Sequence, residues 1–219
     1  MADLTPEQQQ RANQIKVFKQ TANAEQTKVI EYFEPGCAFG GTKDADFDQI
    51  VSARRGSLNT RQMALNKIGL DEDELNEIPD VSFEGFQLDY WQNGRLDGFS
   101  KAGADQRWRT GKYAITHLFF SSTQVYMYKY TFSLYNNDRE ERTEEYFYKD
   151  ITNFSTTMES ISAYVAGNGC SNGDMKTSTV NTQHFALVVP GDKFSCYTQM
   201  DIEQSVQAMK AKLREMKLV

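Results

Sequence analysis

Three cysteines, two histidines and one glycine-rich stretch are the parts of this 219-residue chain whose types invite a chemical reading. Cys37, Cys170 and Cys196 could act as nucleophiles, and His117 and His184 are the imidazoles that could serve them as a base. If Val189 pairs with Asp192 across a Pro190-Gly191 turn, Cys196 opposes Phe185 and His184 opposes Tyr197. Sulfur and imidazole then lie on opposite faces of one hairpin, so Cys196 reads as core beside Phe185, Leu187, Val189 and Phe194. His117 stands inside an apolar strand and reads as a hydrogen-bonded structural imidazole. Cys170 falls in a Gly/Asn loop as an exposed thiol, reactive only if its pKa is lowered.

Phosphate and metal sites are the next chemistries to test. Gly36 and Gly41 have the spacing of a phosphate loop, but Thr42 stands where lysine is required and Lys43 is followed by Asp44. A carboxylate there repels phosphate, and the segment reads as a flexible turn. Asp44, Asp46 and Asp48 alternate like the start of a calcium loop, without its glycine or closing glutamate. Helix capping and solvated charge explain them. No CxxC or HxxxH spacing occurs, so neither a metal nor another cofactor is expected.

Basic residues are local. Arg54, Arg55 and Arg61 lie among short helices, but residues 43–80 hold five basic against nine acidic side chains, a poor fit to DNA. Arg107, Arg109 and Lys112 flank Trp108 and form the candidate partner-binding patch, set against the plainer reading of a loop that packs its tryptophan on a sheet.

The elements that must position these residues fall into two groups. Thr5, Pro6 and Gln8 signal a helix start, and Ile15, Phe18, Ala22 and Val29 give it a narrow apolar stripe as far as Tyr32, before Pro35-Gly36. Phe47, Ile50 and Val51 make an apolar cluster ahead of Gly56; Thr60 caps a helix that Gly69 ends. A further helix is expected over residues 71–77. From Val81 the pattern becomes strand, with a bulge expected at Gly85, a turn at Asn93-Gly94 and a polar loop over residues 98–111.

Residues 113–158 contain twelve of the chain's 25 Tyr and Phe residues. Tyr126, Tyr128, Tyr130, Phe132 and Leu134 alternate with Lys129, Thr131 and Ser133, the period of a strand. Turns are expected at residues 121–123 and 136–138, and a hairpin closes on Pro190-Gly191. Ile202, Val206, Met209, Leu213 and Met216 step by four, three, four and three residues along a final amphipathic helix. That stripe and the tyrosine face are expected to cover each other.

Composition narrows the function classes. A net charge of −6 disfavours a general nucleic-acid binder, and no apolar run reaches the eighteen residues of a membrane span. The polar first ten residues lack the basic and apolar regions of a signal peptide, and three scattered cysteines do not make a disulfide scaffold. A cytoplasmic protein is expected.

Antiparallel strands ending in one amphipathic helix resemble the pleckstrin-homology-like (PH-like) superfold over residues 112–217. The aromatic run 146–154, through Tyr148-Lys149-Asp150-Ile151, is similar to bacterial members of that group. The whole chain also resembles uncharacterised bacterial proteins that join stretches such as residues 55–61 and 67–73 to this sheet. The resemblance implies a bent sheet capped by the helix, recognising peptides or headgroups at a strand edge or loop rim. Its phosphoinositide-binding members carry cations on the first turn, where this chain has Ser121-Ser122-Thr123, so no membrane headgroup is expected.

The sequence therefore predicts an α+β fold: a helical region over residues 1–80, then a PH-like barrel with a C-terminal helix over residues 81–219. The expected function is a non-catalytic binding or scaffold module of a bacterial cytoplasm with a protein or peptide partner, and a second copy of the chain is a candidate cover for the N-terminal stripe. The alternative is a thiol-dependent or phosphate-ester hydrolase using Cys37 or Cys170.

Overall fold

A computed structural model describes residues 6–33, 42–70, 81–87, 100–105, 107–166, 175–198 and 203–217. The fold is α+β with antiparallel sheets. Among the described residues four helices come first, α1 (Pro6–Thr21), α2 (Ala24–Phe33), α3 (Asp44–Gly56) and α4 (Thr60–Ile68). Nine strands follow: β1 (Val81–Phe86), β2 (Ser100–Ala102), β3 (Trp108–Thr110), β4 (Lys112–Phe120), β5 (Gln124–Ser133), β6 (Arg139–Phe147), β7 (Asn153–Ala166), β8 (Met175–Val189) and β9 (Asp192–Thr198). A short 3-10 turn (Tyr148–Asp150) links β6 to β7, and helix α5 (Glu203–Lys217) comes last.

The first expected helix is two. Asn23 breaks it by accepting the Gln26 backbone N–H on Oδ1 while Gln26 Oε1 accepts the Asn23 N–H, both at 2.9 Å. This reciprocal pair is a capping box with amide side chains, and it starts α2. Helix α4 is capped one residue earlier than expected. Asn59 accepts from the Gln62 N–H, which leaves the Thr60 hydroxyl free to meet His117 Nε2 at 2.9 Å. Gly69 ends the helix in the left-handed region at φ 78°, as the sequence predicts.

The strands form three separate sheets, in orders β1-β4-β5-β6, β2-β3 and β7-β8-β9, and do not close into one barrel. Gly85 pairs in register with Ala114, so β1 carries no bulge there. The polar segment expected to be a loop contains the β2–β3 hairpin, too short to show a period. Phe185 opposes Cys196 and Val189 opposes Asp192, the predicted hairpin register. The helix expected over residues 71–77 and the Asn93-Gly94 turn lie outside the described residues.

Two cores lie on opposite faces of the four-stranded sheet. Tyr128, Tyr130 and Phe132 of β5, with Ile115 and Phe119 of β4, form one cluster with Val29, Ile30, Phe33, Phe47, Val51 and Leu65 of helices α2–α4. Leu118, Phe120, Val125 and Met127 point the other way and join Phe185, Leu187, Phe194 and Cys196. Val206, Met209 and Leu213 of α5 belong to this second cluster. The expected match between the tyrosine face and the last helix is therefore corrected: α2–α4 cover the tyrosines, and α5 covers the reverse face. Both partners are apolar stripes, and alternation along β5 leaves open which stripe takes which face.

Candidate functional site

The four residues of the sequence-predicted patch separate in space. Trp108 and Arg109 are each 1% exposed, Arg107 is exposed and Lys112 half-buried. The Arg109 guanidinium is occupied on two sides. Nε and Nη2 donate to Asp48 Oδ1 and Oδ2, both at 2.7 Å, and Nη1 and Nη2 donate to Asp105 Oδ1 and Oδ2, both at 2.8 Å. Such paired forks are the strong form of the arginine–carboxylate bond. They hold the guanidinium firmly protonated, and they hold the Asp105 carboxyl well below the usual range.

Asp44, one turn before Asp48 on α3, completes the clamp. Its Oδ1 accepts the Tyr32 hydroxyl at 2.8 Å and its Oδ2 accepts the Ala104 N–H at 2.7 Å. Burial, with the Asp44 hydrogen bond second, raises the Tyr32 phenol above its ordinary value. The spacing of Asp44 and Asp48 therefore serves to pin the β2–β3 hairpin to the helices. Gly103 is required in that hairpin, because a β-carbon there would lie 2.6 Å from Asp44 Oδ2 and collide with Arg109. Among the described residues no group of three or more His, Cys, Asp and Glu side chains is placed to hold a metal ion.

The nucleophile candidates divide likewise. Cys196 is buried, and burial pushes its thiol up to about 12, away from thiolate at neutral pH. His184 lies on β8 opposite Tyr197, out of register with Cys196. His117 is buried and bonded to Thr60. Cys37, Cys170 and the glycine-rich stretch around Gly36 and Gly41 lie outside the described residues.

One concave feature of the described surface is an open groove of about 480 Å³ between the end of α3 and the β5–β6 turn. Tyr130 and Phe132, each 4% exposed, lie beneath it. Arg54 forms one wall, with its Cζ 6.0 Å from the Phe132 ring centroid and its Nη1 donating to the Leu134 carbonyl at 3.2 Å. Asn137, Asp138 and Arg139 of the β5–β6 turn also line it. Asn137 Oδ1 accepts from Gln26 Nε2 at 2.8 Å, which fixes the turn against α2. Asp138 Oδ2 accepts from Asn136 Nδ2 at 2.7 Å.

Arg55 bonds Glu84, Arg142 bonds Glu144, and Arg109 holds two carboxylates. Arg54 and Arg139 have no ion pair among the described residues, although they line the same groove. In the sequence Arg54 reads only as a local cation, and Arg139 carries no sign of a site by itself. The signal that was present is the Asn136-Asn137-Asp138 turn followed at once by arginine, opposite Phe132 on β5.

No protein-family model, curated protein or solved structure matches this chain. No helix among the described residues is long and apolar enough to cross a membrane.

Proposed function

We propose that this protein is a non-catalytic binding or scaffold module of a bacterial cytoplasm, and that a protein or peptide partner docks at the groove between α3 and the β5–β6 turn. The observation that carries the reading is the groove itself, a concavity lined by two arginines that make no ion pair among the described residues. Strand addition at the open β6 edge is opposed by its own side chains. Arg139, Glu140, Glu141, Arg142 and Glu145 are exposed along it, and charge on an edge strand resists pairing with another chain. A PH-like relationship of the second half is part of the proposal. Its support is a four-stranded sheet, a three-stranded antiparallel meander and then a helix whose apolar residues enter the core beside both.

The test is capture of a partner by the immobilised full chain, compared with a Ser57→Trp variant that fills the groove. Retention by the native chain and loss by the variant is the expected result. Equal retention by both would remove the groove from the function. The hydrolase alternative is tested in parallel by thiol labelling of the native protein. A hyper-reactive Cys37 or Cys170, with ester hydrolysis that its replacement abolishes, would replace the binding reading with an enzymatic one.

A further inference from the structure

The charge of the groove narrows what it takes. A guanidinium half-buried against an aromatic ring, as Arg54 is over Phe132, has given up part of its hydration and is compensated, among the described residues, by that ring and the Leu134 carbonyl. Arg139 reaches the same space from the strand opposite Phe132, exposed and without a carboxylate among the described residues. Two guanidiniums lining one groove, both beside Phe132, repel each other when it is empty, and an oxyanion bound there relieves that repulsion with charge-assisted hydrogen bonds. Asp138 on the rim sets a limit: it offsets one of the two positive charges, so the groove favours a single anionic group and disfavours a polyanion.

We infer that the groove between Arg54 and Arg139 is a recognition site for one oxyanion side chain of a peptide partner, a glutamate or aspartate carboxylate or a phosphoserine phosphate. This rests on the binding-module reading and supplies the chemistry of its ligand. Tyr130 and Phe132 are buried beneath the groove, so an anion is held at its mouth beside the two arginines that line it. Arg54 is held by the Leu134 carbonyl, and the turn bearing Arg139 is held by the Gln26–Asn137 bond.

The experiment is a titration of the ¹⁵N-labelled full chain with three blocked tripeptides, acetyl-Gly-Glu-Gly-amide, acetyl-Gly-phosphoserine-Gly-amide and the neutral acetyl-Gly-Gln-Gly-amide. At least one anionic peptide is expected to shift the amides of Ser57, Leu58, Asn137 and Arg139 saturably. The neutral peptide should bind about tenfold or more weakly, and Arg139→Gln should weaken the anionic peptide by a similar factor. Arg142→Gln, which removes a cation already paired with Glu144, should leave the affinity unchanged. The stronger of the two anionic peptides identifies the source of the charge. Equal binding of the neutral peptide overturns the anion inference and leaves the groove as a binding site. Anion shifts insensitive to Arg139→Gln, or no saturable shift with any peptide, overturn it as well. The binding-module reading falls on a different result, equal partner retention by the native chain and Ser57→Trp.

Discussion

Arg109 and Asp48 meet through two parallel 2.7 Å hydrogen bonds, joining the β2–β3 hairpin to helix α3 across 61 positions of sequence. The guanidinium is 2% exposed while the Asp48 carboxylate is 44% exposed, so the arginine bears most of the desolvation and the aspartate keeps contact with water. Arg109→Met is expected to lower stability by about 1–3 kcal/mol, the range for losing hydrogen bonds to a charged group. The two half-exposed carboxylates left behind can recover solvation, which keeps the cost below that of a stranded buried charge. Urea unfolding measures the loss, and amide exchange at Ala104, whose N–H bonds Asp44, should accelerate with it. An unchanged midpoint together with unchanged exchange at Ala104 would show that the clamp contributes nothing.

The same clamp sets an acid limit. Arg109, through its hydrogen bonds first, holds the folded Asp105 carboxyl well below the unfolded value of about 4. A depressed folded pKa contributes stability that is present above the unfolded pKa and lost as pH falls through the folded one. Stability should therefore decline below about pH 4 in part because Asp105 takes up a proton in the unfolded chain while Arg109 keeps it ionised in the folded one. Asp105→Asn is expected to flatten the profile of unfolding free energy between about pH 4 and pH 2. A variant with the native acid slope would remove Asp105 from the account.

Local signals in the sequence placed much of this fold, and long-range ones did not. The alternation through Tyr126 to Phe132 gave β5, Gly69 marked the end of α4, and Pro190-Gly191 set the β8–β9 register. Asn23 was hidden because Ala22 and Val29 continue the helical stripe across it. Only the Gln26 side chain, folded back to the Asn23 N–H, reveals a new start. Arg109 looked like a surface cation because its carboxylates come from a helix far away in sequence. Arg54 and Arg139 have the same difficulty: each is ordinary alone, and their significance comes from lining one groove although they stand 85 positions apart in the chain.

Cys196 gives an alkaline prediction with the opposite sign. Burial raises its folded pKa to about 12, above the unfolded value, so its contribution is complete at neutral pH and is lost as pH rises toward that value. Cys196→Val should flatten the decline of stability above about pH 9, where an unfolded thiol ionises. Mass-spectrometric mapping after iodoacetamide treatment should find the Cys196 peptide unmodified in the native protein and modified in urea. Rapid native modification of that peptide would contradict its burial.

Neighbouring positions on β5 report on different cores, which makes the placement of α5 measurable. Met127 shares a buried cluster with Leu213 of α5, whereas Tyr130 faces α2–α4 in the other cluster. Met127→Ala and Leu213→Ala should each cost about 2–5 kcal/mol, the range for emptying a core site of that size. Two truncations within one cluster share relaxation, so the double variant should depart from additivity by about 0.5 kcal/mol or more. Tyr130→Ala with Leu213→Ala separates the cavities by the thickness of the sheet, and the costs should add within about 0.5 kcal/mol. Urea titrations of the singles and both doubles decide it. Coupling of Leu213 to Tyr130 rather than to Met127 would put α5 on the tyrosine face, the pairing of stripes expected from the sequence and overturned by the two clusters.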